Sequence, residues 1–306
     1  MISRSIVSAG LACAIAWPVV VGAQSIDRRV DANPDGVLEI NNPDGDIIVE
    51  AWAQREVRVT GDLGDGGNEL DVRTAGDRVI IEVSGANRRG GFFGGPDWGG
   101  DIDLLIRAPA TMALEIQARA ADIEIEGMRG EQRIGSISGD VRTEAYARDL
   151  RIETVSGDIR VEGREQGRAL VRVSAVSGDI RLSDIGGEIW ADSVSGDVTI
   201  IADEIERAEL KSVSGDIRLM AGLSTNARVD AIATSGDIDL DLRGDAAGEY
   251  RLETFSGTID ACFGPERSAD RGSRFGPGQA LLFTEGRSSA RIVTRTHSGD
   301  VRVCRE

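Results

Sequence analysis

The segment Ser156-Gly157-Asp158-Ile159-Arg160-Val161 carries the pattern that decides the fold of this 306-residue chain. Its first four residues, Ser-Gly-Asp followed by Ile or Val, recur in register. Copies begin at Ser138, Ser156, Ser177, Ser195, Ser214, Ser235 and Ser298, with a Ser-Gly-Thr-Ile variant at Ser256. Successive steps are 18, 21, 18, 19, 21, 21 and 42 residues. A period near 20 residues is typical of stacked repeat architectures.

The residues around each copy alternate between apolar and polar. Ile159 and Val161 follow the serine by three and five places, Arg160 stands between them, and Leu150 and Ile152 precede the serine by six and four. A period of two predicts β-strands with one buried face. Each repeat therefore predicts a strand, a tight Ser-Gly-Asp corner and a second strand. Glycine supplies the positive φ of such a corner, and the corner glycines are Gly139, Gly157, Gly178, Gly196, Gly215, Gly236, Gly257 and Gly299.

A repeat of this length cannot bury its apolar face alone, but stacked repeats can. The sequence therefore predicts an all-β, single-stranded β-solenoid of stacked 18–21-residue coils, about 4.8 Å apart, over residues 111–306. Two degenerate copies precede the strict repeat, at Ala121-Asp122-Ile123 and at Asp44-Gly45-Asp46-Ile47.

Residues 24–110 lack the strict repeat but keep short alternating segments. We expect an antiparallel β cap here, because the first coil of a solenoid needs protection from edge-to-edge pairing. Within it, residues 88–100 are rich in glycine and carry Phe92, Phe93 and Trp98. This loop could bind a ligand by stacking on sugar rings, or it could fold back over an open end. We favour the second interpretation.

The N-terminal segment has the features of a signal peptide. Arg4 is followed by an apolar run from Ile6 to Val21 and by a small residue at Ala23, which predicts cleavage after Ala23 and a signal peptide over residues 1–23. An uncleaved anchor is the alternative, while lipidation at Cys13 is disfavoured by its flanking residues. No later run is apolar enough to span a bilayer. We therefore expect export to the periplasm or the cell surface.

Two cysteines occupy equivalent places near the C-terminus. Cys262 and Cys304 each follow the serine of their own repeat by six residues. If the two coils are neighbours, their Cα atoms lie near 5 Å and a disulfide fits, whereas an intervening coil would separate them by about 10 Å. Because export favours oxidation, we predict a Cys262–Cys304 disulfide. Residues from about 263 to 291 would then loop out as an insertion.

The composition excludes several classes of partner. Asp and Glu total 52 against 35 Lys and Arg, which gives a net charge of −17. Nucleic acids and anionic lipids both require a basic face, so we expect neither as a partner. The single histidine, His297, occupies the place that valine holds before other corner serines. It is therefore interpreted as a member of a packing column and not as the base of a catalytic serine.

The aspartates of the corners raise an electrostatic question. The set is Asp140, Asp158, Asp179, Asp197, Asp216 and Asp237. Stacked about 5 Å apart, these carboxylates would repel one another. Each could cap its own turn and pair with the arginine two residues on, as Asp158 with Arg160, or Ca²⁺ could bridge neighbouring carboxylates. We favour capping, so no cofactor is expected, and Ca²⁺ stays the alternative.

The combination of these motifs resembles a known family. Its parts are the signal-like segment, the stretch Asp44–Val49 followed by Trp52, the Ser-Gly-Asp repeats, and Thr254-Phe255-Ser256-Gly257 followed by Cys262-Phe263-Gly264-Pro265. The chain is similar to bacterial DUF4097 proteins, also called "putative adhesin" or β-strand-repeat proteins. The resemblance covers nearly all of the chain after residue 23, and Thr258 and the 42-residue step depart from it. It implies a cell-envelope or secreted β-solenoid without an established enzymatic activity.

We therefore predict a non-enzymatic, exported cell-envelope protein, adhesin-like, whose structural or binding surface contacts an unidentified protein or glycan. One alternative is a Ca²⁺-dependent binding module that uses the corner aspartates. Another is a β-helix enzyme acting on polysaccharides. The carboxylates are spread evenly and Lys211 is the only lysine, which disfavours an enzyme that must bind an acidic polysaccharide.

Overall fold

The computed structural model describes residues 25–64, 68–84, 102–165, 169–264, 278–287 and 289–305. Within these ranges the protein is all-β, and there is no helix that could cross a membrane. The N-terminal strands are β1 (Ser25–Asp31), β2 (Val37–Trp52), β3 (Glu56–Asp62), β4 (Glu69–Ala75), β5 (Arg78–Ser84), β6 (Asp103–Pro109) and β7 (Ala113–Glu126).

The strands of the repeats follow in chain order. The first are β8 (Gln132–Ser138), β9 (Val141–Ala145), β10 (Leu150–Ser156), β11 (Ile159–Gly163), β12 (Ala169–Ser177), β13 (Ile180–Ser195) and β14 (Val198–Ser214). The last are β15 (Ile217–Ser235), β16 (Ile238–Arg243), β17 (Gly248–Ser256), β18 (Ile259–Ala261), β19 (Gln279–Glu285), β20 (Arg291–Ser298) and β21 (Val301–Arg305). In β13, β14 and β15 the strand after one corner continues without a break into the strand before the next corner.

Successive repeats pair in parallel and in register, with corner serine beside corner serine. Ser156 pairs with Ser138 on one side and with Ser177 on the other. The strands before the corner form one stack, and the strands after it form a second stack along the other side of the corners. The prediction of an all-β, solenoid-like fold is confirmed.

The core lies between the two stacks and consists of columns of aliphatic side chains. The column three residues after each corner serine is no more than 1% exposed at Val141, Ile159, Ile180, Val198, Ile217, Ile238 and Val301. Each such side chain contributes about 1.5–3 kcal/mol relative to an exposed one. Each column continues in the next coil, so the aliphatic side chains of one coil are buried by those of the coils stacked on it.

The N-terminal end differs from the predicted antiparallel cap. Strand β2 is already a complete coil that pairs in parallel with β7, β5 and β6 and turns its corner at Gly45, where φ is 93°. The pairs β1–β3, β3–β6 and β4–β5 are antiparallel. The parallel stack therefore begins at Val37 and not near residue 111, because Asp44-Gly45 can form the corner without the serine of the strict repeat. The proposed ligand loop with Phe92, Phe93 and Trp98, and the proposed signal segment, lie outside the described residues.

At the C-terminal end the spatial order of the coils differs from their order in the chain. The last strands, β20 and β21, lie between the coil of β15 and β16 and the coil of β17 and β18. Ser298 therefore pairs with both Ser235 and Ser256. This arrangement makes Cys262 and Cys304 neighbours with Cα atoms 4.8 Å apart, and the predicted disulfide is confirmed.

The expectation that residues 263–291 loop out is wrong for part of that range. Strand β19 pairs in antiparallel fashion with β17 and covers the last coil. It carries Phe283, whose ring stacks on Tyr250 at 4.7 Å, and Phe263 meets both rings edge-on at 5.4 and 5.9 Å. These aromatic contacts stabilise the packing of β19 against the last coil, because each large ring removes much apolar area from water.

Candidate functional site

The corner aspartates form a ladder that joins neighbouring coils. In each pair, an aspartate Oδ1 accepts a hydrogen bond from the backbone N–H of the equivalent residue in the next coil, as Asp158 does from Asp179 at 2.9 Å. The eight bonds measure 2.7–2.9 Å, and their donors are Asp140, Asp158, Asp179, Asp197, Asp216, Asp237, Asp300 and Thr258. The expectation that each aspartate caps its own turn is therefore wrong, since the capped N–H belongs to the adjacent coil.

Arginines neutralise only part of this Asp ladder. Arg160 and Arg181 contact the aspartates two residues before them, Asp158 at 2.9 Å and Asp179 at 2.8 Å. The pairing predicted for the other arginines is wrong, because they contact different carboxylates: Arg142 contacts Glu124, and Arg218 and Arg302 both contact Asp239.

The pKa of Asp179 reflects this environment. The N–H of Asp197 lowers the pKa of the Asp179 carboxyl, burial opposes that shift, and Arg181 lowers it further. Across the described ranges of the chain, the upper members of the ladder, Asp197, Asp216 and Asp237, have no ion pair. The ladder is therefore neutralised by arginine at Asp158 and Asp179, and it carries uncompensated negative charge in the later coils, from Asp197 onward.

Replacing Asp179 tests the inter-coil bond. Asp179→Ala leaves the N–H of Asp197 without its acceptor, and we expect the free energy of unfolding to fall by about 1–2 kcal/mol. Asp179→Asn keeps an acceptor oxygen and should cost less. Urea unfolding followed by circular dichroism measures both, and equal losses would contradict a hydrogen-bonding role.

The same variants give a pH test. The folded-state pKa of Asp179 is lower than its ordinary value of 3.8. Its charge therefore stabilises the fold above that value, and the stabilisation is lost as the pH falls through the folded-state pKa. The advantage of the wild type over Asp179→Asn should shrink under acidic conditions.

The described residues contain no group of three or more His, Cys, Asp or Glu side chains placed to hold a metal ion. One oxygen of each ladder aspartate already accepts a backbone hydrogen bond, as Asp140 Oδ1 does from Asp158. Ca²⁺ prefers six to eight oxygen ligands, so a bridging ion would have to share carboxylates that are already in use.

We therefore expect the melting temperature to stay the same in millimolar Ca²⁺ and in excess chelator. A ligand that binds only the folded state raises its stability by mass action. A melting temperature that rises with Ca²⁺ and falls with chelator would contradict capping as the sole role of the ladder. Mg²⁺ at the same ionic strength is the control for screening.

A shallow groove of about 420 Å³ runs across the outer face of the strands that follow the corner. It crosses the end of β7 and strands β9, β11, β13 and β14. Two columns of charged side chains line it. The first column is Arg142, Arg160 and Arg181, and the second is Glu126, Glu144 and Glu162. Residues two apart on a strand share a face, so the columns run side by side.

Glu144 is the most constrained carboxylate of the groove. Its oxygens accept hydrogen bonds from the Gly127 backbone N–H at 2.7 Å, from the Arg164 guanidinium at 2.7 Å and from the Tyr146 hydroxyl at 2.9 Å. Burial alone would raise the pKa of Glu144, but these three donors outweigh it and lower the pKa. Glu144 is therefore an ionised anchor that positions Arg164 at the end of the groove.

The groove presents guanidinium donors and carboxylate acceptors in alternation. Arg164 bridges Glu144 and Glu162 at 2.7 and 2.9 Å, and Arg142 lies 3.8 Å from Glu124. Because the charges are balanced, the groove suits a ligand that both donates and accepts hydrogen bonds, and it does not favour a polyanion. Sequence reasoning identified the arginines but missed the Glu column, although Glu144 and Glu162 recur six residues after their corner serines.

His297 does not pack in the core. It takes the place before the corner serine, as predicted, and its ring stacks on Phe255 at 4.7 Å. The side chains of this column are nevertheless exposed, by 46% at both Phe255 and Val176. The column predicted for His297 therefore lies on the outer face of the sheet, because the residues two and four places before the serine point inward and the one immediately before it points outward.

Parallel stacked coils with corner glycines and a ladder of inter-coil hydrogen bonds define a β-strand-repeat solenoid. The family model described as Toastrack DUF4097 matches residues 36–189 and 188–304. The chain therefore belongs to the DUF4097 family, and the resemblance seen in the sequence is confirmed. No curated protein matches the chain.

Several solved structures are similar to the chain at low identity. A "putative adhesin" from Bacteroides fragilis is 13% identical with a TM-score of 0.43, and the match covers 91% of this chain and 96% of that one. A "putative adhesin" from Parabacteroides distasonis is 11% identical with a TM-score of 0.41, covering 92% and 98%. A "putative cell adhesion protein" from Clostridium sporogenes is 8% identical with a TM-score of 0.24, covering 92% and 100%.

Proposed function

We propose that this protein is an exported, non-enzymatic, adhesin-like module of the cell envelope that binds a protein or glycan in the groove. The observation that carries the proposal is the side-by-side placement of the Arg column and the Glu column on an open sheet face. The hydroxyl groups of a glycan, or the mixed polar groups of a protein surface, can satisfy both columns at once.

Within the groove, a binding role is supported over a catalytic one by how Glu144 is used; the Asp239 carboxyl, whose pKa is raised by burial and by the charge of Asp241, lies outside the groove. Glu144 holds three donors and a lowered pKa, so it is not poised to donate a proton near neutral pH. The ladder aspartates hold backbone N–H groups at regular intervals along the stack. Glycoside hydrolysis needs one carboxyl group with a raised pKa beside a second carboxylate, and Glu144 does not supply it.

Export is supported by the N-terminal segment and by the disulfide. The predicted signal peptide over residues 1–23 would direct the chain out of the cytosol, with cleavage after Ala23. The Cys262–Cys304 bond fits an oxidising compartment such as the periplasm or the cell surface. N-terminal sequencing of the protein isolated from its host tests this part, and a chain that still begins at Met1 would contradict cleavage.

Binding to a glycan array and to a panel of purified envelope proteins tests the groove. Arg142→Ala combined with Arg160→Ala removes two groove guanidinium groups, and we expect affinity for the retained ligand to fall about tenfold or more. The matched control is Arg251→Ala combined with Arg295→Ala, which removes two arginines that contact Glu253 on the other stack. Equal binding by both double variants, or turnover of a bound polysaccharide, would contradict the proposal.

A further inference from the structure

A column of exposed aliphatic side chains runs along the outer face of the strands that precede the corner. We call Ile137, Val155, Val176, Val194 and Val213 the apolar stripe; their exposed fractions are 53, 48, 46, 46 and 50%. The pairs Thr154–Ala175 and Ser156–Ser177 place Val155 beside Val176, and the same register continues along the stack. Five coils at about 4.8 Å make the stripe about 19 Å long.

Packing within the protein does not account for the apolar stripe. The inward positions of the same strands are already filled by buried residues such as Ile152 and Val173. The other outward positions are mostly polar, as at Glu153 and Asp192. A sheet face in water normally carries polar side chains, whereas contiguous exposed apolar residues mark a site of interaction.

One margin of the stripe is acidic. The Asp ladder follows it three residues further along the chain, at most about 10 Å away, and Asp197 and Asp216 carry no ion pair with any described residue. On the other side Glu153 pairs with Arg151 and Asp192 lies beside Lys211, so that margin is neutral. A second copy of the chain would bring its own ladder against this one, and like charges in contact are unfavourable. The occupant that fits must be apolar at its centre and basic along the margin that faces the Asp ladder.

We infer that the apolar stripe is a docking surface for a cationic amphipathic helix of a partner protein. Side chains three and four apart on a helix form a ridge with Cβ spacing of about 5–6 Å, close to the spacing of the stripe. The apolar ridge lies on Val155, Val176 and Val194, and lysines or arginines beside the ridge face Asp197 and Asp216. This surface is separate from the groove, which lies on the strands that follow the corner.

The probe for this surface is a fluorescent synthetic helix built from leucine and lysine, with the leucines in one stripe. Anisotropy titration of the purified, oxidised protein measures its affinity, with a scrambled peptide of the same composition as the reference. We expect the patterned peptide to bind about tenfold more tightly than the scrambled one. Val155→Thr, Val176→Thr and Val194→Thr together keep β-branched side chains, and this triple variant should remove that preference.

Charge variants separate the electrostatic contribution to peptide binding from the contribution of the apolar stripe. Asp197→Asn with Asp216→Asn keeps acceptor oxygens for the inter-coil bonds, and it should weaken binding several-fold and reduce its salt dependence. A second groove variant, Arg142→Ala with Arg164→Ala, removes arginines that pair with Glu124, Glu144 and Glu162 and not with the ladder. It should bind the peptide normally, so failure of the groove proposal and failure of this one are distinguishable. Equal binding of patterned and scrambled peptides would overturn the inference. So would a dimer in sedimentation that the triple threonine variant dissociates.

Discussion

Replacing Gly196 with alanine is expected to lower the free energy of unfolding by about 4 kcal/mol. The φ of Gly196 is 142°, a conformation that L side chains rarely adopt. A Cβ atom there would lie 2.2 Å from the carbonyl oxygen of Gly178 in the neighbouring coil. That oxygen cannot move away, because the hydrogen bonds beside it hold the two coils together, as from the Gly178 N–H to the Ser195 carbonyl at 3.0 Å.

The control for this substitution is Gly244→Ala. Gly244 has a φ of 79°, but no atom lies within 4 Å of the position of its added Cβ. The expected loss is then only the cost of placing an alanine at a positive φ, about 1–2 kcal/mol. Urea unfolding of both variants, followed by far-ultraviolet circular dichroism, separates conformational strain from the clash between coils. Similar losses for the two variants would show that close approach of the coils does not set the requirement for glycine.

Loss of the Cys262–Cys304 disulfide is expected to cost about 4 kcal/mol on the loop-entropy estimate for a 42-residue separation. The bond joins the last coil to the strand that lies beneath it. Without it, the coil of β17 and β18 is held to the stack through β20 and β21 alone, since those strands separate it from β15 and β16. Local opening should then concentrate at this end of the protein.

Cys262→Ala combined with Cys304→Ala, compared with the reduced and the oxidised wild type, measures this effect. We expect the double variant and the reduced wild type to unfold at the same, lower urea concentration. Hydrogen exchange should accelerate in β17 to β21 and stay unchanged in β10 to β13. Uniform acceleration along the whole stack would contradict a local role for the bond.

Much of the fold could be predicted because it depends on residues close together in the chain. The alternation around Ser156 specifies which side chains point inward, and Ile159 and Val161 are buried as that pattern requires. Glycine at each corner is required by a backbone φ between 110° and 156°. The Cys262–Cys304 pairing followed from equal positions in two repeats, since equal positions in neighbouring coils lie side by side.

The candidate site was predicted less completely. The Arg column was visible in the sequence, but its predicted ion pairs with the corner aspartates form only at Arg160 and Arg181. The groove itself depends on the outward direction of Glu144 and on the hydrogen bonds it receives from Gly127 and Arg164, residues 17 and 20 positions away. The apolar stripe was visible in the sequence as a column of residues before the corner serines, but its exposure depends on the neighbouring residue pointing inward, as Thr154 does, which is polar and yet buried.

The repeating unit follows from the sequence alone: two strands, a glycine corner and a stacked all-β architecture. It does so because a period of two and a φ accessible to glycine are local properties. The tertiary structure alone decided which coil lies beside which. The chain meets its corners in the order Ser235, Ser256, Ser298, but Ser298 lies between the other two. Every parallel coil offers its neighbour the same row of N–H and C=O groups, so backbone pairing does not select one order of coils over another. The order is stabilised by the aromatic contacts of β19 and by the disulfide, both of which join residues distant in the chain.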